Sequence, residues 1–271
     1  MGINEMAKVV WVVEKGNSRW KYGVFVGGDI ALTKTLEVGE QLNITHLPED
    51  NADEIFLTGS GKWSGEEYDL LQTRTDSSVI EFKHGDRHPL ITKVANPGSL
   101  GTDRVANVFA IQSESLKDLI GGEKCKTWMI IDVGTCVTTD VIQNGVHIGG
   151  SISPGISLRL NSMRDGTAAL PEINKEVWSK SSPFSGKTTG ISTVEAMIRG
   201  AADGISAEII GRWMVLNLEL GGVGGVGVVI TGGDSSLLEL CQVKPKFADS
   251  NLTLKGYYAL FPHIQRFIHE D

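Results

Sequence analysis

One short pattern occurs twice: an apolar strand that ends in an acid, then one residue, a glycine and a polar residue. The first copy is Glu14-Lys15-Gly16-Asn17-Ser18, after Val9-Val10-Trp11-Val12-Val13. The second is Asp132-Val133-Gly134-Thr135-Cys136, after the apolar run that starts at Thr127. Another strand follows each copy. A repeat of this kind predicts a duplicated lobe with a cleft between the copies, and we divide the chain at residues 1–122 and 123–271.

The flanking segments repeat too. Residues 8–14, 20–26 and 29–36 read as a β-meander broken at Gly16-Asn17 and Gly27-Gly28. Residues 55–58 and 78–82 are further short strands. Residues 103–120 carry an apolar stripe of Val105, Val108, Phe109, Leu116 and Ile120, which predicts one helix. The order then restarts. Residues 127–132, 136–143 and 146–152 are strands, the last two joined by the hairpin signal Asn144-Gly145. Pro154-Gly155 opens a helix to Met163. Residues 172–189 read as a loop, 193–215 as a long helix, 228–230 as a strand and 254–269 as a closing helix.

Gly after a strand-end acid lets the backbone approach a phosphate and turn its N–H groups toward it. Ser18 or Thr135 can donate to phosphate oxygens. The acid would be repelled by phosphate, so its natural role is to hold a cation. For one turn alone, a hairpin with a surface carboxylate explains the pattern as well; the pairing favours phosphate work. Asn96-Pro97-Gly98-Ser99-Leu100-Gly101-Thr102-Asp103-Arg104 is a loop that enters a helix. Asp103 there is either a simple helix cap or a base for a substrate hydroxyl, with Arg104 beside it to neutralise charge. Thr231-Gly232-Gly233 is either a tight turn or a place where a nucleotide meets bare backbone.

Two motifs fail their context. Gly222-Val223-Gly224-Gly225-Val226-Gly227 fits GxGxxG but precedes a strand instead of joining a strand to a helix. Ser185-Gly186-Lys187-Thr188 resembles a P-loop end, but no apolar strand precedes it. The net charge of −8 argues against general nucleic-acid binding. Three scattered cysteines give no disulfide framework or zinc site and fit a cytoplasmic protein. The longest early apolar run is too short to span a membrane.

Together these segments resemble the type III pantothenate kinase family, also called the Bvg accessory factor family. The resemblance rests on Gly16-Asn17-Ser18; Asn96-Pro97 with Leu100-Gly101-Thr102-Asp103-Arg104 and Asn107; Asp132-Val133-Gly134-Thr135; Gly149-Gly150 with Ser153-Pro154-Gly155; Ser192-Thr193-Val194-Glu195-Ala196; and Thr231-Gly232-Gly233. It implies an α/β, duplicated actin-like (ribonuclease-H-type) two-lobed kinase fold and a homodimer. It implies ATP-dependent phosphorylation of pantothenate, the first step toward coenzyme A, with Mg²⁺ and a monovalent cation, K⁺ or NH₄⁺. Asp103 resembles the general base. Gly101, Thr102, Arg104 and Thr193 resemble substrate contacts and Asp132 the cation ligand. Thr135 and the turn with Glu14, Gly16, Asn17, Ser18 and Lys21 resemble ATP contacts. Three positions depart from the family: Glu14 stands for an Asp, Lys15 for an apolar residue and Val94 for a Tyr. They motivate a competing reading, a catalytically weak binding or regulatory protein on the same scaffold.

Overall fold

Two five-stranded sheets, with the same strand order, organise the chain. The computed structural model describes residues 7–16, 19–37, 42–113, 115–180, 189–222 and 224–270. In the first sheet β1 (Val9–Lys15), β2 (Arg19–Val26) and β3 (Asp29–Glu37) form the meander; β4 (Glu54–Gly59) and β5 (Ile80–Glu81) then add in parallel on the other side of β1. In the second, β6 (Thr127–Val133), β7 (Cys136–Gln143) and β8 (Val146–Pro154) form the meander. Here β9 (Val226–Thr231) and β10 (Lys246–Ala248) add in parallel beyond β6. Asn144 and Gly145 adopt φ of 50° and 79°, as the hairpin signal between β7 and β8 requires.

The helices are α1 (Gly65–Gln72), α2 (Thr102–Gln112), α3 (Lys117–Ile120), α4 (Ile156–Asp165), α5 (Lys175–Lys180), α6 (Thr193–Leu220) and α7 (Leu252–Glu270). Two compact units result. One holds Met1–Leu90, Ala95–Ser115 and Leu252–Asp271; the other holds Ile91–Val94 and Leu116–Asn251. A division at residue 122 follows chain order, whereas the contacts group α7 with the first unit. The reason is packing. Phe25 stacks on Tyr258 with ring centroids 4.2 Å apart, Phe56 meets Phe261 at 5.0 Å, and α7 lies against α2. The approach is so close that a Cβ at Gly256 would lie 2.0 Å from the Ala106 carbonyl oxygen.

Alternation along β1 assigns its two faces. Trp11 and Val13 join Trp20, Tyr22, Val24, Ile55 and Leu57 in one core. Val12 pairs with Gly23 and Phe56, on the face that α7 covers. In the second unit, Met129, Ile131 and Val133 share a core with Ile156 of α4, Trp178 of α5 and Ile198, Ala202 and Ile205 of α6.

Several elements differ from the sequence expectation, and strand β10 was absent from it. The helix expected over 103–120 ends at Gln112, where the Ser113 and Ser115 hydroxyls meet at 2.7 Å; short hydroxyl side chains compete with the helical backbone. The loop expected over 172–189 contains α5, which buried Trp178 anchors; residues 181–188, with the P-loop-like motif, lie outside the described residues. Helix α1 was not expected, although its capping box is legible: Ser64 Oγ accepts from Glu67 N, and Glu67 Oε2 accepts from Ser64 N. Among the described residues no helix is long and apolar enough to cross a membrane.

Candidate active site

The two acid turns occupy the same place in their sheets. Glu14 pairs in parallel with Thr58, and Asp132 pairs in parallel with Thr231. Each threonine is buried, at 1% and 2% exposure. Each precedes a glycine with positive φ, Gly59 at 115° and Gly232 at 98°. A Cβ at Gly59 would lie 2.3 Å from the Lys15 carbonyl oxygen, and one at Gly232 would lie 2.3 Å from the Val133 carbonyl oxygen. Only glycine fits there on both counts of conformation and space. The repeat thus extends beyond the turns to Thr58-Gly59 and Thr231-Gly232. Gly232 was read from sequence; Thr58 and Gly59 were not, because only the parallel pairing brings them to the acid.

The turns differ in length. Gly16 N donates to Arg19 O at 2.9 Å, whereas Gly134 N donates to Cys136 O at 3.0 Å, so the first turn is one residue longer. Asn17 and Ser18 lie outside the described residues. Gly155 closes the second turn from the side. Its N–H donates to Thr135 O at 3.0 Å, and a Cβ on it would lie 2.1 Å from Gly134 O. The Asp132 carboxylate lies over this glycine-lined backbone: a Cβ at Gly232 would lie 2.6 Å from its Oδ1. Thr135 is exposed at the tip.

The first unit brings Glu14 and Asp103 together around a residue that sequence reading missed, Tyr257 of α7. Its ring is fully buried and its hydroxyl donates to Thr102 Oγ1 at 3.1 Å. Burial pushes this phenol well above its usual pKa range, and the carboxylates of Glu14 and Asp103 push it further. It therefore stays protonated and remains a donor. Asp103 lies in the first turn of α2, where N–H donors and the helix dipole favour negative charge. Its Oδ1 folds back over Gly101, where a Cβ would lie only 2.5 Å away. The loop before it is braced by His88 Nε2 on Pro97 O at 3.0 Å and by Ser99 Oγ donating to Asn96 O at 2.7 Å. Arg104 follows Asp103 in the same turn, half-buried.

Thr193 opens α6 and is exposed. The motif around it is largely a helix start. Ser192 Oγ accepts from Glu195 N at 3.2 Å, and Glu195 accepts from Ile191 N and from Arg199. The sequence GxGxxG joins α6 to β9 and so precedes a strand.

Lys15 points away from the acid beside it. Glu14 shares the α7 face of the sheet; Lys15 alternates to the other face, where the equivalent Val133 is a core residue. Its ammonium donates to both carboxylate oxygens of Glu67, at 2.9 and 2.8 Å, and lies 4.7 Å from the centre of the Trp20 ring. An apolar core position has thus become an ion pair that also braces the α1 cap. Removing one partner strands the other charge at a site only 11–15% exposed. Lys15→Met should therefore lower the unfolding free energy by about 3 kcal/mol, and adding Glu67→Gln should recover part of it. Urea denaturation measures both; a Lys15→Met midpoint equal to that of the native chain would contradict the pairing.

Comparison with known proteins places this geometry. The family model described as Type III pantothenate kinase matches residues 10–214. A type III pantothenate kinase from Flavobacterium johnsoniae is 28% identical, covering 92% of this chain and 95% of its own. One from Cytophaga hutchinsonii is 30% identical, covering 90% and 95%. Among solved structures, a conserved Campylobacter jejuni protein named for the Baf family of transcriptional activators superposes with a TM-score of 0.57. It is 17% identical and covers 94% of this chain and 99% of its own. An activator of 2-hydroxyisocaproyl-CoA dehydratase from Clostridium difficile superposes at 0.51 with 13% identity, covering 97% and 98%. These likenesses carry the fold, a duplicated actin-like α/β architecture. With the matching turns, the Leu100–Arg104 loop and a family match over most of its length, the chain belongs to the type III pantothenate kinase family.

Proposed function

We propose that this chain transfers the γ-phosphoryl group of ATP to the primary hydroxyl of pantothenate, giving 4'-phosphopantothenate and ADP in the first step of coenzyme A synthesis. The observation that carries this is the Asp103 carboxylate, folded over bare Gly101 at the head of α2. A carboxylate held there can accept the hydroxyl proton as the new P–O bond forms and the bond to ADP breaks. Arg104 neutralises charge on the transferring group, and Gly101, Thr102 and Thr193 hold pantothenate. Glu14, Gly16, Asn17, Ser18 and Lys21 form a phosphate loop, and Thr135 contacts ATP.

Asp132 is the ligand we assign to a monovalent cation, K⁺ or NH₄⁺. Its carboxylate on a glycine-lined turn offers one charge among backbone groups, which suits a singly charged ion. Among the described residues no three His, Cys, Asp or Glu side chains gather into a metal site. Mg²⁺ would then be held mainly by phosphate oxygens and water, where it neutralises phosphate charge.

Coupled ADP release in potassium and ammonium buffers tests this reading. Turnover should require pantothenate, and Asp103→Asn should lower kcat by at least about a thousandfold, the upper part of what a positioned base contributes. Pantothenate-independent ADP release, or a fully active Asp103→Asn variant, would remove the assignment. We also read the chain as a cytoplasmic homodimer. Support for self-association comes from a groove of about 640 Å³ lined by Ile148, Glu208, Gly211, Arg212, Val215 and Leu216, and from Met214 and Leu218, which are exposed on the same helix, α6. Sedimentation at micromolar concentration should give a dimer, and a monomer would overturn that assignment.

A further inference from the structure

A buried polar chain in the second unit has no part in the steps above. His147 of β8 is fully buried, and Asp140 of β7 is 2% exposed. His147 Nε2 lies 2.9 Å from Asp140 Oδ1, and its Nδ1 lies 2.9 Å from Thr92 Oγ1. Val94 N donates to the same Thr92 hydroxyl at 3.0 Å. The backbone reinforces the contact: His147 N donates to Ile91 O at 2.9 Å, and Lys93 N donates to His147 O at 2.8 Å. Residues 91–93 thereby add to the β8 edge as a short parallel segment.

One proton arrangement satisfies the three side-chain contacts in series. Val94 N–H donates to Thr92 Oγ1, the Thr92 hydroxyl donates to Nδ1, and Nε2–H donates to Asp140; bonds in such a line polarise one another. Burying the Asp140 and His147 side chains, with Thr92 half-buried beside them, costs stability that apolar residues of similar size would not cost. Fixing one backbone register is a function that can offset that cost. The register fixed is that of Ile91–Val94, four residues grouped with the second unit although Leu90 and Ala95 belong to the first. The chain runs from them directly into Asn96-Pro97 and the loop that ends at Asp103.

We infer that Asp140, His147 and Thr92 are positioning residues. They fix the backbone from which the acceptor-binding loop departs, and so set affinity for the alcohol rather than for the nucleotide. This rests on the reading above, that residues 96–104 serve the acceptor.

Thr92→Val keeps the shape but removes both of the hydroxyl's bonds; Thr92→Ser keeps the hydroxyl. Steady-state kinetics on the full chain, with pantothenate and ATP varied separately, reads the effect. Thr92→Val should raise the pantothenate KM about tenfold, equivalent to about 1.4 kcal/mol, with the ATP KM within about twofold of the native value. Thr92→Ser should match the native enzyme on both. Amide exchange across residues 95–104 should be faster in Thr92→Val than in Thr92→Ser. An unchanged pantothenate KM in Thr92→Val, an equal rise for both substrates, or a Thr92→Ser variant as impaired as Thr92→Val would overturn the inference while leaving the kinase reading intact. Absence of pantothenate turnover in the native chain would overturn that reading and this inference with it.

Discussion

In each unit an acid-bearing strand lies parallel to a strand that ends in Thr-Gly, and the two backbones come too close for any side chain at that glycine. A Cβ at Gly59 or Gly232 would sit 2.3 Å from the carbonyl oxygen of the residue after the acid. That contact fixes the register of β1 with β4 and of β6 with β9. It leaves bare backbone beside the acid, which is what a phosphate or its counterion needs to approach. It also sets the direction of each acid, since strand alternation sends the following residue to the opposite face.

The same alternation sends two departures from the family pattern to opposite faces of the sheet. Glu14 shares its face with Thr58 and α7, and its charge acts on the same buried Tyr257 as that of Asp103. Lys15 enters the other core and is neutralised there by Glu67. Lys15, which stands in sequence for an apolar residue, is in the fold one half of an internal ion pair.

What was legible in the sequence was local. Both meanders, the Asn144-Gly145 hairpin, the two acid turns and the head of α2 are carried by neighbouring residues. What was missed depends on partners far along the chain. Tyr257 reaches Thr102 across 155 positions, and β4 meets β1 in parallel only after a long crossover. Trp178 reads as part of a polar stretch until α4 and α6 surround it. The break after Gln112 and the Ser64–Glu67 cap were accessible in principle, through hydroxyl residues that compete with or complete a helix. The grouping of α7 with the first unit follows from its aromatic face, which has no local signature of its partner.

Nucleotide binding by a Gly232→Ala variant tests the central claim most directly, because a methyl there would meet the Asp132 carboxylate and the Val133 backbone at once. Calorimetric titration with ATP, on protein that retains a cooperative thermal transition, should show affinity lowered by at least about tenfold, or 1.4 kcal/mol. ATP affinity equal to that of the native chain would contradict the assignment of this glycine-bare turn to the nucleotide.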